Sequence, residues 1–135
     1  MRRYLVDTRA LGDLIKRREG VHERARAARL EGARIGSCIP VLGELFSGIE
    51  FSRTRDENHA RLIRSIAGRS FWSYTREAAE ESARLAAQLR RTGRTMQQVD
   101  MQVAAIARTR SQCIVVSEDT DLLAVPSLSV VNWAS

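Results

Sequence analysis

Five short apolar runs, separated by stretches of helical periodicity, constrain this 135-residue chain more than any other feature. The runs are Tyr4-Leu5-Val6, Ile35 to Ile39, Phe71-Trp72-Ser73-Tyr74, Cys113-Ile114-Val115-Val116 and Leu128 to Val131. Between them, helical patterns cover about Ala10 to Arg18, Val21 to Glu31, and a stretch after Pro40 in which Val41, Leu42, Leu45, Phe46 and Ile49 recur at helical spacing. Further helices are expected around Asn58 to Ala67, over Ala78, Ser82, Leu85, Ala86 and Leu89 up to Gly93, and over Val99, Val103, Ile106 and Ala107. Continuous apolar strands alternating with helices mean a parallel sheet covered on both faces. The expectation is an α/β sandwich of roughly five strands, one domain over residues 1–135. The Val21 to Glu31 helix is strongly basic and poor in large apolar residues, so it is expected to lie exposed.

No apolar run approaches the roughly 20 residues that span a bilayer. The basic opening Met1-Arg2-Arg3 is followed by only three apolar residues before Asp7, too few for a secretion signal. A cytoplasmic chain with no membrane contact is expected, with Cys38 and Cys113 reduced and buried among apolar neighbours. His22 and His59 lie in polar helical stretches and no CxxC pair exists, which argues against zinc.

The net charge is +6, and the whole excess lies in residues 1–70, which carry 15 Lys+Arg against 9 Asp+Glu; residues 71–135 carry 7 against 7. Nearly all of it is arginine, Lys16 being the only lysine. The planar guanidinium fork suits phosphate, so a polyanionic partner is compatible with the composition.

Four acids fall where the pattern gives them meaning. Asp7 directly follows the first strand, and Glu44 stands about one turn into the helix after the second. Asp100 begins its helix, and Asp119 follows the fourth strand in Ser117-Glu118-Asp119-Thr120-Asp121. In an open parallel sheet, strand carboxyl ends and the helix starts after them share one edge, where ligands bind. Taken singly, the aspartates read as helix caps or strand ends and Glu44 as a solvated helix residue. Together they would repel one another unless protonated or bound to a cation. Magnesium, or manganese in its place, is the natural occupant, and such an ion activates water and polarises a phosphoryl group. Phosphodiester hydrolysis is the chemistry this supports.

Those residues also resemble PIN domains, and VapC toxins in particular. Tyr4-Leu5-Val6-Asp7-Thr8 matches the opening strand that runs into Asp-Thr, and Glu44-Leu45-Phe46-Ser47-Gly48-Ile49 matches the Glu-Leu-x-x-Gly-Ile helix. Asp100 to Ala107 resembles the later Asp followed by an Ile-Ala-Ala-like helix. Val116-Ser117-Glu118-Asp119-Thr120-Asp121-Leu122, then Val125-Pro126-Ser127-Leu128 and Asn132-Trp133, resemble the closing blocks. The blocks occur in family order across essentially the whole chain. The resemblance implies a PIN-like three-layer sandwich, a magnesium-dependent endoribonuclease acting as the toxin of a toxin–antitoxin pair, and Asp7, Glu44, Asp100 and Asp119 as catalytic and metal-holding residues. It also implies RNA of the tRNA or rRNA class as substrate, a VapB-like antitoxin and a homodimer. Thr8, Arg9 and Asp121 are candidate substrate or electrostatic residues. Arg9 replaces the family's usual Asn or Ser, and Leu122 its usual Phe. Arg9 is expected to reach the acidic crevice and pair with a carboxylate there, competing with the cation.

A receiver-type phosphoacceptor would need a late lysine, and none follows Lys16. A haloacid-dehalogenase-like phosphatase would want Asp-x-Asp where Asp7-Thr8-Arg9 stands. The remaining alternative is a PIN module that binds RNA or antitoxin without cutting.

Overall fold

The computed structural model describes residues 1–134. Its elements follow one another as β1 (Arg3–Val6), α1 (Thr8–Ile15), α2 (Val21–Leu30), β2 (Arg34–Cys38), α3 (Ile39–Glu50), α4 (Arg55–Ile66), β3 (Ser70–Trp72), α5 (Arg76–Arg91), α6 (Gln98–Arg108), β4 (Cys113–Val116), α7 (Thr120–Leu123) and β5 (Val130–Val131). The five strands form one sheet in the order β3-β2-β1-β4-β5, every neighbouring pair parallel. The expected parallel α/β sheet flanked by helices is therefore what forms.

The order places a reversal at the centre. From β1 the chain builds outward through β2 to β3, then returns to the other side of β1 to lay down β4 and β5. At such a switch point the loops leaving β1 and β4 part in opposite directions and open a crevice beyond the strands' carboxyl ends. Asp7 follows β1 and Ser117-Glu118-Asp119 follows β4, so the reversal brings both segments to that crevice.

Leu5, Val6, Val115 and Val116 of the two central strands are fully buried, with Leu11 of α1, Leu85 of α5 and Val103 and Ile106 of α6 packed around them. Burying side chains of this size stabilises by about 1.5–3 kcal/mol each. In α6 the entire run Val103 to Ala107 is buried, because α5, α3 and β4 all pack against it. Ser37 is buried too, and its hydroxyl donates to the Val6 carbonyl at 2.7 Å, tying β2 to β1. Gly36 is needed there: a Cβ would come within 3.0 Å of the Ser70 carbonyl oxygen and 3.1 Å of the Trp72 ring.

Two helices differ from expectation. α2 is not simply exposed, since Val21, Ala25 and Ala28 form a buried stripe on it. Small side chains let α2 approach α1 and β2 closely, and its arginines line the outer face. In α3 the apolar residues divide into two stripes. Val41 and Leu45, four residues apart, face the central core. Leu42, Phe46 and Ile49 stay half-buried outside it, in line with the exposed Ile39. Cys38 is buried and Cys113 half-buried; both are free thiols, and burial pushes each up to about 11. Neither is a reactive thiolate at neutral pH.

Candidate active site

Asp7 ends β1 and caps α1. Its Oδ1 accepts the Ala10 amide at 2.9 Å, and its own amide donates to the Val116 carbonyl, locking the loop to β4. An aspartate suits this position because a short carboxylate satisfies the free amides of a helix's first turn. Asp7 is 8% exposed. Burial raises its pKa above the usual carboxylate range; hydrogen bonding from Ser117 and Ala10 opposes the rise, and the nearby Asp119 and Glu118 add to it.

Asp119 caps α7, accepting the Asp121 amide at 2.9 Å, while its own amide donates to Ser117 Oγ at 2.9 Å. Ser117 thus braces both Asp7 and Asp119. Asp100 lies in the first turn of α6, half-buried. Its pKa is pushed up to about 6 by burial first, then by the adjacent Asp119 carboxylate, with smaller contributions from Asp7 and Glu44. Glu44 sits on the exposed side of α3, and Thr8 Oγ1 donates to its Oε1 at 2.5 Å.

Asp7, Glu44, Asp100 and Asp119 line one cleft of about 300 Å³ together with Thr8, Arg9, Gln97 and Glu118. The four acids picked out on the sequence therefore share a site. Asp121 does not line it; its side chain is exposed and its backbone serves the Asp119 cap. Arg9 reaches the rim, as expected, but its partner is Glu118, with Nε–Oε1 at 2.8 Å, and not one of the four acids. Glu118 and Gln97 were not anticipated as lining residues. Glu118 had a visible cue, its position in the Ser-Glu-Asp run; Gln97 had none.

Five carboxylates facing one guanidinium make a site whose negative charge is largely uncompensated. Hard oxygen donors, among which burial first and neighbouring carboxylates second push Asp100 up to about 6, are the donor set that a small divalent cation prefers. Among the described residues, however, no three acidic, imidazole or thiol groups already stand in coordinating geometry. A cation held here would draw the acids inward or reach some of them through water, as magnesium commonly does.

The family follows from the whole chain. Residues 4–128 match the PIN domain family. The chain belongs to the PIN-domain family. Solved structures similar to this PIN domain include VapBC2 from Rickettsia felis bound to a DNA fragment from the promoter, at 18% identity, covering 97% of this chain and 98% of that one with a TM-score of 0.86. DNA-bound VapBC from Salmonella typhimurium is similar at 24% identity, 98% and 99% coverage and a TM-score of 0.85. VapBC-5 from Mycobacterium tuberculosis, a member of a toxin–antitoxin family, has 27% identity over 73% of this chain and 82% of that one, with a TM-score of 0.63. Compared by sequence with curated proteins, the PIN domain has no significant match.

Proposed function

We infer that this PIN domain is a divalent-metal-dependent endoribonuclease and the toxin of a toxin–antitoxin pair, with residues 1–135 forming a single domain. The observation that carries the reading is the convergence of Asp7, Glu44, Asp100 and Asp119, from four separate segments, on one cleft at the switch point of the sheet. These four would hold magnesium, or manganese in its place. Bound there, the ion would polarise a phosphodiester and neutralise the charge that develops as the bond to the leaving oxygen breaks. The chain's own residues set the stage for it. Ser117 hydrogen-bonds to both Asp7 and Asp119, Thr8 holds Glu44 through its hydroxyl, and the Asp7 cap ties the start of α1 to the end of β1. Placing the donors at helix caps (Asp7, Asp119), in a helix's first turn (Asp100) and in the second turn of α3 (Glu44) keeps them within the narrow tolerance that such chemistry requires.

RNA of the tRNA or rRNA class is the proposed substrate, and the excess of arginine over acids suits a polyanion. Antitoxin complexes among the solved structures it resembles support a cognate VapB-like partner for this chain. Among the described residues no helix is long and apolar enough to cross a membrane. The cytoplasm is the proposed location.

The test is cleavage of a purified structured RNA by the purified protein, with magnesium, with manganese and with chelator. Cutting with either ion and none in chelator is expected. Asp7→Asn is expected to abolish it while the protein stays folded, because asparagine caps a helix about as well as aspartate but removes one charge from the cage. Cleavage that survives chelation, or that Asp7→Asn leaves intact, would refute the metal mechanism. Arg9, which stands where the family usually has Asn or Ser, gives the second reading, a PIN module that binds without cutting, its support; RNA binding with no cleavage at any metal concentration would select it.

A homodimer is the proposed assembly. The stripe of α3 that faces away from the core, with Phe51 90% exposed beside it and Ile63 47% exposed on α4, is the apolar surface available to cover. Light scattering is expected to give a dimer mass that Phe51→Asp converts to a monomer; a wild-type monomer at every concentration would reject the assembly.

A further inference from the structure

A second and larger cleft, of about 630 Å³, opens at the opposite edge of the sheet, where β1 and β4 begin. Arg2, Arg108 and Arg110 line it with Gln112, Ser127 and Ser129, and among the described residues no carboxylate does. Among the described residues neither Arg2 nor Arg110 has a carboxylate partner. Arg110 instead lies over the Trp72 ring, 5.3 Å from its centroid, which holds the guanidinium by its face. Arg108 gives Nη2 to Glu81 at 3.2 Å, while its Nη1 is buried with no hydrogen-bond partner. A buried unpaired guanidinium nitrogen is uncommon in folded proteins and calls for an acceptor. Gln112 and Ser127, both non-glycine residues in left-handed backbone, stand on the cleft wall. That conformation is unusual for such residues and gathers at ligand clamps.

The segment 124–129 contributes Ser127, Leu128 and Ser129 to this cleft and Ala124 and Pro126 to another, of about 340 Å³, which Arg91 and Arg94 also line. Arg94 belongs to the segment that leads into α6, the helix that bears Asp100 near its start and Arg108 at its end. Eight residues of helix separate those two, about 12 Å. Guanidinium forks gathered in two clefts that share one wall, with Arg2 and Arg110 free of carboxylate partners among the described residues and Arg108 only half-satisfied by Glu81, match a ligand with repeated phosphates.

We propose that the Arg2–Arg108–Arg110 cleft is a second RNA-binding site, which grips the phosphodiester backbone of a single strand while another part of that strand lies in the acidic cleft. The proposal rests on RNA being the substrate. Its test separates the two. Binding of a fluorescent 12-nucleotide RNA is measured in chelator, where nothing is cut, for the wild type, for Arg2→Gln/Arg110→Gln, and for Arg26→Gln/Arg64→Gln, which removes the same charge from exposed positions elsewhere. The cleft variant is expected to bind roughly fivefold more weakly or worse, with a salt slope smaller by about 1.4, two single-strand phosphate contacts at about 0.7 each. The control is expected to stay within twofold. With magnesium restored, the cleft variant is expected to raise KM for the 12-nucleotide RNA with kcat unchanged. A dinucleotide, whose single phosphodiester cannot fill both clefts, is expected to be cut alike by both proteins.

Equal losses in the two double variants would reduce the effect to general charge and overturn the cleft. So would wild-type binding by the cleft variant alongside intact cleavage. Equal displacement of the RNA by inorganic phosphate at matched phosphate concentration would assign the cleft to free phosphate and overturn the RNA assignment. A wild-type protein that neither binds nor cuts RNA would end both this proposal and the function on which it rests.

Discussion

Asp100→Asn is expected to lower RNA cleavage at least a hundredfold and, in the metal-free protein at pH 8, to raise the melting temperature. The first effect follows from the charge of the cage: even an outer-shell partner of a metal site is commonly worth 10- to 100-fold, and a direct donor is worth more. The second follows from linkage. Asp100 titrates near 6 in the folded protein, above the ordinary aspartate value of 3.8. Between those two pH values the folded state holds a proton that the unfolded chain has released, so stability falls as pH rises through the window and the deficit is complete above it. Asparagine, neutral at every pH, removes the deficit. Asp100 is only half-buried, so solvent screening reduces the gain to roughly 1 kcal/mol, about 4 °C in a domain of this size. Towards pH 4, where the unfolded chain's aspartate begins to take up its proton as well, the two melting temperatures are expected to converge, and to coincide well below 3.8. A saturating divalent ion reverses the order at pH 8, because only the wild type keeps its full cage. Scanning calorimetry at pH 4 and 8, with and without magnesium, reads all four values. A variant that is inactive yet melts below the wild type in metal-free buffer at pH 8 would show that Asp100 supports the fold and not a cation.

That trade between stability and charge explains why the acids were legible in the sequence. Nothing in the fold needs four carboxylates at one edge, so their positions at strand ends and helix starts stood out against apolar runs that were themselves unambiguous. Strand boundaries were less so. Ile39 continues the apolar run of β2, yet Pro40 favours the first turn of a helix, and the chain turns helical already at Ile39. The burial of α2 was hidden because periodicity is usually read from large residues, whereas this helix packs through Val21, Ala25 and Ala28. In α3 a single apolar pattern concealed two stripes, and only the packing shows that Val41 and Leu45 belong to the core while Leu42, Phe46 and Ile49 do not. The basic cleft was invisible for a different reason: Arg2 and Arg108 are more than a hundred residues apart, and their half of the sheet edge is assembled only by the β1–β4 pairing.

Arg9 is where the local sequence and the tertiary structure had to be combined. Its position two residues after Asp7 put a guanidinium within reach of the acids, but the choice of carboxylate depended on how the loop after β4 folds. With Arg9 bound to Glu118, the arginine stands 72% exposed at the rim, and the pair itself contributes at most about 1 kcal/mol. Its effect on a cation is exerted through space. A unit positive charge across a cleft of about 300 Å³ opposes a divalent ion by about 1 kcal/mol even in a water-like dielectric. Arg9→Asn is therefore expected to tighten cation binding by roughly five- to tenfold, because it removes that charge and leaves Glu118 uncompensated beside Asp7. Titration of manganese into the metal-free protein, followed by calorimetry, measures this without reference to turnover. Cleavage at limiting magnesium is expected to rise by the same factor and to converge with the wild type at saturation. Arg9→Asn/Glu118→Gln, which removes both charges, is expected to return cation affinity to near the wild-type value, since the rim is then as neutral as the ion pair. If Arg9→Asn instead lowers cleavage at every magnesium concentration while manganese affinity stays fixed, the guanidinium serves the incoming phosphate, and its pairing with Glu118 is the resting position of a substrate-binding residue.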